Sequence, residues 1–226
     1  MSARAWRWWF TLTEDDGIVR TLPNALAAHA RHFYNSGGTP VEPRRAATVL
    51  ILRDLPYTAG APGGVEVYML RRAASMVFAG GMYAFPGGRV DPSDIDVLSA
   101  AVREVREETG LRLTELHAWS RWVTPEFEPR RYDTWFYVAR LPEGAQPLDI
   151  SGEADWAGWL PPKRALADHN DQMLPPTAVT LTELSGFNSV DSVLTVAEDR
   201  DLTPITPRAV IDNGTVRLAL PGDPEF

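Results

Sequence analysis

Apolar and polar positions fall along the chain in short blocks whose period changes from block to block. Residues 46–53 form an apolar run bounded by charge and proline, which predicts a strand. Residues 65–70 alternate with a period of two and predict a second strand, while 54–64, rich in proline, glycine and alanine, read as the loop between them. Residues 79–89 form a glycine-rich loop around a short strand. From Asp94 to Thr109 the period becomes helical. Leu98, Ala101, Val102 and Val105 fall on one stripe, Asp94 or Asp96 suits the start, and Gly110 suits the left-handed position after the end. Residues 116–124, 132–140 and 156–160 read as strands, and Pro161-Pro162 opens a helix over 162–169. Residues 176–198 are mostly helical with a break near Gly186. Strands near 208–212 and 215–220 flank Asn213-Gly214, a two-residue hairpin signal. Upstream, residues 24–34 predict a helix, and Gly37-Gly38 with Pro40 and Pro43 read as a linker. Strands and helices alternate without a strict βαβ rhythm, so the expected fold is α/β, a mixed sheet with helices on both faces. The expected organisation is an N-terminal extension over 1–45 and one domain over 46–226.

Composition narrows what such a domain does. The chain has 226 residues, 44% of them hydrophobic, enough for one packed core with decoration. Its formal net charge of −8 argues against a nucleic-acid partner, which favours a basic face, but not against a small anionic substrate, because local arginines and a metal reverse the charge of one pocket. With no cysteine, disulfides, zinc–thiolate sites and cysteine nucleophiles are excluded. No apolar run is long enough to cross a bilayer and the start has no signal-peptide layout, so a cytoplasmic protein without membrane contact is expected. Trp6, Trp8, Trp9 and Phe10 must cover something or be covered: they pack on the domain or form a homodimer interface.

The chemistry concentrates on the helix ending at Thr109. Glu104, Glu107 and Glu108 share a narrow arc, being three and four residues apart, and no basic residue falls inside it. Like charges at this spacing destabilise an isolated helix by about 0.2–0.5 kcal/mol per pair. The arc is either an ordinary solvated acidic face or a site for Mg²⁺ or Mn²⁺, hard cations that prefer carboxylate oxygen and bridge phosphate oxygens. Arg103, four residues before Glu107, can hold that carboxylate in place. Phe85-Pro86-Gly87-Gly88 brings exposed backbone close to the same helix, so the Gly88 carbonyl can complete the coordination.

These residues resemble the Nudix family. The family's box reads Gly, five residues, Glu, seven residues, then Arg-Glu-apolar-x-Glu-Glu-x-Gly-apolar. Residues 103–111 match its second half at every fixed position. The first half departs: five residues after Gly88 stands Asp94 in place of the box glutamate, and eight residues follow instead of seven. The resemblance implies an α/β/α sandwich and a hydrolase that splits a diphosphate linking a nucleoside to another moiety. It implies metal ligation by Glu104, Glu107 and Glu108, and a general base at Glu107 or at a later-loop glutamate, for which Glu153 stands in the right place; a loop carboxylate without that role is the alternative for Glu153.

A narrower resemblance, to the branch of peroxisomal coenzyme A diphosphatases and their bacterial relatives, rests on residues 67–72, 80–91, 122–134 and 174–177. It implies coenzyme A or an acyl derivative as substrate. The branch's own upstream motif is matched loosely, with Arg71-Arg72 at its basic start and Ala73 where serine is expected. Arg71, Arg72, Arg89, Arg130 and Arg131 are candidate phosphate contacts, each of them otherwise an ordinary surface arginine. Phe127, Tyr132 and Trp135 either stack on a base or pack in strands. ADP-ribose, a dinucleotide or a nucleotide sugar would use the same carboxylates. A non-catalytic nucleotide-sensing module and an isomerase of the same fold are the other readings. The first typically loses box carboxylates that this chain keeps, and the residues supporting the second are not recognisable.

Overall fold

The computed structural model describes residues 21–56, 63–76, 79–148, 152–212 and 215–226. The aromatic cluster at Trp6–Phe10 and the Asn213-Gly214 turn lie outside the described residues. Its elements in chain order are α1 (Asn24–Asn35), β1 (Arg44–Leu55), β2 (Gly64–Arg72), β3 (Tyr83–Ala84), β4 (Gly87–Arg89), α2 (Val97–Thr109), β5 (His117–Val123) and β6 (Tyr132–Arg140). There follow β7 (Ala154–Leu160), α3 (Pro162–His169), α4 (Pro175–Leu184), α5 (Val190–Ala197) and the hairpin of β8 (Arg208–Asp212) and β9 (Thr215–Ala219).

Alternation along β1 decides the layers. Ala47, Val49 and Ile51 point to one face, where they meet Val97, Ala101 and Val105 of α2. Leu50 and Leu52 point to the other, into a core shared with α1, α3, α4, α5 and β9. The sheet is mixed: β1 runs parallel to β6, and its other pairings are antiparallel. This is the expected α/β/α sandwich. Residues 21–35 join the same core, since Ala27 and Ala30 are buried and the Leu22 N–H donates to the Val216 carbonyl at 2.9 Å.

The sheet has one irregularity that matters for function. β1 pairs with β2 over Leu52–Leu55 and then diverges from it. The segment 83–89 fills the resulting wedge, with Tyr83 and Ala84 on β2 and Gly87 to Arg89 on β1. A glycine-rich segment is thus inserted into the sheet beneath α2.

The position of α2 corrects the expected stripe. Its buried residues are Val97, Ala100, Ala101, Val105, Glu108 and Thr109, while Leu98 is exposed and Val102 only partly covered. Residues 97, 101 and 105 lie one above another and meet β1; Leu98, one position further round, faces outward. The helix also begins at Val97 rather than Asp94. Asp96 is the cap, its carboxylate accepting from the Ser99 N–H while the Ser99 hydroxyl accepts from the Asp96 N–H. Gly110 closes the helix at φ 72°, as expected.

Candidate active site

The glycine pair sets how closely loop and helix approach. The Pro86 carbonyl accepts from the Val49 N–H and the Thr48 hydroxyl, both at 2.8 Å, which fixes the loop on β1. A Cβ at Gly87 would fall on the Ala47 carbonyl and 2.6 Å from the Thr48 Cα. A Cβ at Gly88 would fall on the Glu104 carboxylate. Only glycine at both positions lets the carboxylate face of α2 lie flush against the loop backbone. The contact is polar: the Gly87 N–H donates to Glu108 Oε2 at 2.8 Å.

Arg103 organises the other side of the arc. Its Nε and Nη2 fork onto Asp94 at 2.9 and 2.8 Å. Nη1 bridges Glu104 at 2.9 Å and Glu107 at 3.0 Å, and Nη2 also reaches the Arg89 carbonyl at 3.0 Å. These bonds use the whole donor capacity of a guanidinium group. The Arg103–Glu107 contact matches the sequence expectation. What sequence reasoning missed was Asp94 as the main anchor, having treated it as a cap or a variant box residue. The side chain of Asp94 is shorter than that of the box glutamate by one methylene, and the connection to Arg103 is longer by one residue. The two departures occur together, and the resulting carboxylate meets the arginine fork.

Burial sets the electrostatics. Glu108 is 6% exposed, and its carboxyl is pushed up to about 7, first by burial and then by the negative charge of Glu104, against the pull of the Gly87 N–H. Burial also raises Glu104, while Arg103 pulls it down. Glu153 adds negative potential at both Glu104 and Glu108, which places it within electrostatic reach of the arc, and its carbonyl accepts from the Ala73 N–H at 2.8 Å. Arg72 exerts the opposite influence on Glu108. Glu107 is the outermost of the three, with its side chain 50% exposed. The arc is therefore not an ordinary solvated face: two of its three carboxylates are largely withdrawn from water and repel each other. Hard oxygen donors in that state fit Mg²⁺ or Mn²⁺. Among the described residues no three acidic or histidine side chains form a ready-made cation cage, since Arg103 and the Gly87 N–H occupy the carboxylates.

The candidate phosphate-contacting arginines divide. Arg72 stands beside the arc, and Arg89 lines a cleft next to Arg103 and Glu104. Arg71 pairs with Asp155 at 2.6 Å. Arg130 is exposed in the turn between β5 and β6. Arg131 is only 9% exposed. Its guanidinium donates to the Thr124 carbonyl at 3.0 Å and the Val41 carbonyl at 2.8 Å, so its place in the structure is that of a buried clamp on main chain rather than a phosphate contact. A buried arginine and an exposed one look alike in sequence. Phe127 is 1% exposed and packs in the core, and Tyr83 stacks on His169 at 4.1 Å and meets Trp156 at a tilt with ring centroids 5.5 Å apart, beside the glycine loop.

Over 131 residues the chain is 34% identical to the human mitochondrial coenzyme A diphosphatase NUDT8, covering 57% of this chain and 52% of that protein. Over 128 residues it is 28% identical to the uncharacterized Nudix hydrolase NudL of Yersinia pestis, covering 57% of this chain and 55% of that one. The chain thus spans about half the length of these curated relatives. Its fold resembles the crystal structure of a Nudix hydrolase from Alicyclobacillus acidocaldarius, with a TM-score of 0.59 at 24% identity over 69% of this chain and 96% of that one. The NUDIX domain family matches residues 43–179, which include the glycine loop, the carboxylate helix and Glu153, and the chain belongs to that family.

Proposed function

We propose that the protein is a metal-dependent hydrolase that splits the diphosphate joining a nucleoside to another moiety, with coenzyme A or an acyl-coenzyme A as its lead substrate. The observation that carries this reading is the carboxylate face of α2 held flush against Gly87-Gly88, with Glu104 and Glu108 withdrawn from water. Glu104, Glu107, Glu108 and the Gly88 carbonyl would hold Mg²⁺ or Mn²⁺, which neutralises phosphate charge and makes a water nucleophilic. Arg103 orients Glu104 and Glu107, and Asp94 in turn fixes Arg103. Water adds across the P–O–P linkage, one bridging P–O bond breaks, and two phosphomonoesters leave. The proton lost by water passes to a carboxylate, for which Glu107 and Glu153 are the two candidates. Arg72 stands beside the arc as a contact for the diphosphate, and Arg89 lines the neighbouring cleft as a contact for the rest of the substrate. Coenzyme A is favoured by the similarity to NUDT8 and by the sequence of 80–91 and 122–134, and would yield adenosine 3′,5′-bisphosphate and phosphopantetheine.

The test is a panel of coenzyme A, acyl-coenzyme A, ADP-ribose, a dinucleotide and a nucleotide sugar, assayed with Mg²⁺ or Mn²⁺, with products identified after reaction in heavy-oxygen water. Turnover of coenzyme A above the others supports the reading, and turnover of ADP-ribose alone would replace the substrate. Full activity in the double variant Glu107→Gln/Glu108→Gln would remove the metal site. A large fall in kcat for Glu153→Gln in a folded protein assigns it the base, and a near-normal kcat leaves that role to Glu107.

A further inference from the structure

A cleft of about 610 Å³ opens on the outer side of Arg103 and Glu104, and its walls carry Arg44, Arg45 and Arg89 together with Asp91. The three arginines stand on a hydrogen-bonded platform. Arg44 and Arg45 begin β1, whose next residue Ala46 pairs with Arg89 of β4. The Arg44 N–H donates to the Arg131 carbonyl at 2.9 Å, and the Val90 N–H to the Arg45 carbonyl at 3.0 Å. The backbone is thus fixed on both strands while the side chains remain available.

The acids that could neutralise these arginines are already engaged. Arg103 holds Glu104 and Asp94. Asp91 accepts from the Ser93 N–H at 2.9 Å and from the Ser93 hydroxyl at 2.8 Å. Asp96 accepts from the Ser99 N–H at 2.7 Å in the helix cap, with Arg45 near enough to act on it through space. The side chains of Arg44, Arg45 and Arg89 make no hydrogen bond and close no ion pair among the described residues. Three arginines without a hydrogen bond or ion pair among the described residues line one cleft in a chain whose net charge is −8.

We infer that this cleft is a second anion site, in which Arg44, Arg45 and Arg89 receive a phosphomonoester that the substrate carries apart from its diphosphate. This inference rests on the proposed diphosphatase reading. Glu104 and Arg103 border both the cleft and the carboxylate arc, so a group in the cleft is adjacent to the scissile linkage. Guanidinium groups match the tetrahedral oxygens of a phosphate dianion and remain charged at any relevant pH. The volume falls in the range of small-molecule sites, about 300–1,000 Å³, and accommodates the sugar bearing the phosphate as well. Within this substrate class the arginine cleft makes the protein selective for a 3′-phosphorylated nucleoside half.

The experiment measures binding in EDTA, without turnover, by calorimetric titration of the full chain with adenosine 3′,5′-bisphosphate and with adenosine 5′-monophosphate. The unaltered protein should hold the bisphosphate about tenfold or more tightly. Arg44→Gln and Arg45→Gln should each remove most of that preference, and Arg45→Lys should keep part of it. Both side chains are exposed, so thermal melting is expected to confirm folded variants, and Arg44→Lys serves if Arg44→Gln does not fold. A parallel assay compares kcat/KM on coenzyme A and dephospho-coenzyme A. Equal affinity for the two nucleotides in the unaltered protein, or an equal loss for both in the variants, overturns the inference. Saturable binding of inorganic phosphate without discrimination between the nucleotides would assign a free anion instead, and also overturns it. If the preference holds but no diphosphate is cleaved, the anion site stands and the function falls. If coenzyme A is cleaved without 3′-phosphate preference, the function stands and the site falls.

Discussion

Replacing Glu108 by glutamine should make the metal-free protein more stable at alkaline pH while impairing its chemistry. The carboxyl of Glu108, 6% exposed, is raised from the ordinary 4.5 to about 7, with burial the first cause. The folded protein therefore binds this proton more tightly than the unfolded chain does. The stabilisation that accompanies the protonated form is complete below about pH 4.5 and is lost as pH rises through about 7. The gap between those values corresponds to about 3 kcal/mol once pH is well above 7. Glu104, also raised by burial, acts in the same direction. Glutamine keeps the shape, accepts from the Gly87 N–H through its amide oxygen, and carries no charge. Urea denaturation in EDTA at steps from pH 4.5 to 8.5 should show the two proteins matched at the acid end. At pH 8 the Glu108→Gln variant should be more stable by about 2–3 kcal/mol. Added Mg²⁺ should then stabilise the unaltered protein at pH 8 and the variant much less, because the ion binds ionised carboxylates. Parallel stability curves for the two proteins across this pH range in EDTA would refute the argument that burial holds the proton on Glu108.

Other substitutions separate packing from chemistry. Gly87→Ala drives a Cβ into the backbone of Ala47 and Thr48 and should lower stability by about 2 kcal/mol, read as a fall in Tm; an unchanged Tm would mean that β1 yields freely. In Gly88→Ala the atoms nearest the new Cβ are those of the Glu104 carboxylate, the end of a side chain that can shift, so Tm should change little while kcat/KM falls about tenfold to 100-fold. Asp94→Asn removes the ionised partner of Arg103 at a side chain 5% exposed and should cost about 2–3 kcal/mol, measured by denaturant titration; a variant as stable as the parent would remove that ion pair from the account. Arg131→Met strips the Thr124 and Val41 carbonyls of a buried donor and should lower stability by about 2 kcal/mol, and a rise in KM without loss of Tm would restore Arg131 as a substrate contact.

Much of the fold was legible in one dimension. A bounded apolar run predicted β1, alternation β2, helical spacing α2 and a proline pair α3, each to within a few residues, and β5 and β6 were likewise placed, because burial of one face imposes such patterns on a hydrogen-bonded backbone. Asp96 and Gly110 delimit α2 through local cap geometry that a short stretch of sequence encodes. The grouping of Glu104, Glu107 and Glu108, and the link of Arg103 to Glu107, followed from helical spacing alone, whereas the bond from Arg103 to Glu104 did not.

What the sequence by itself determined, then, is the set of elements, the carboxylate arc and the glycine pair that must lie close to something. Only the tertiary structure decided what that something is. The divergence of β1 from β2 seats Gly87 and Gly88 under α2, bringing residues 87 and 108 into hydrogen-bond contact. Packing of Val97, Ala101 and Val105 on β1 turned Leu98 outward, against the expected stripe. It also buried Arg131 on main-chain carbonyls while leaving Arg44, Arg45 and Arg89 around an open cleft, although all four are arginines in loops or at strand ends. Burial and long-range adjacency depend on how remote segments stack, and no local period or motif records which of two like residues will be desolvated and which will face a ligand.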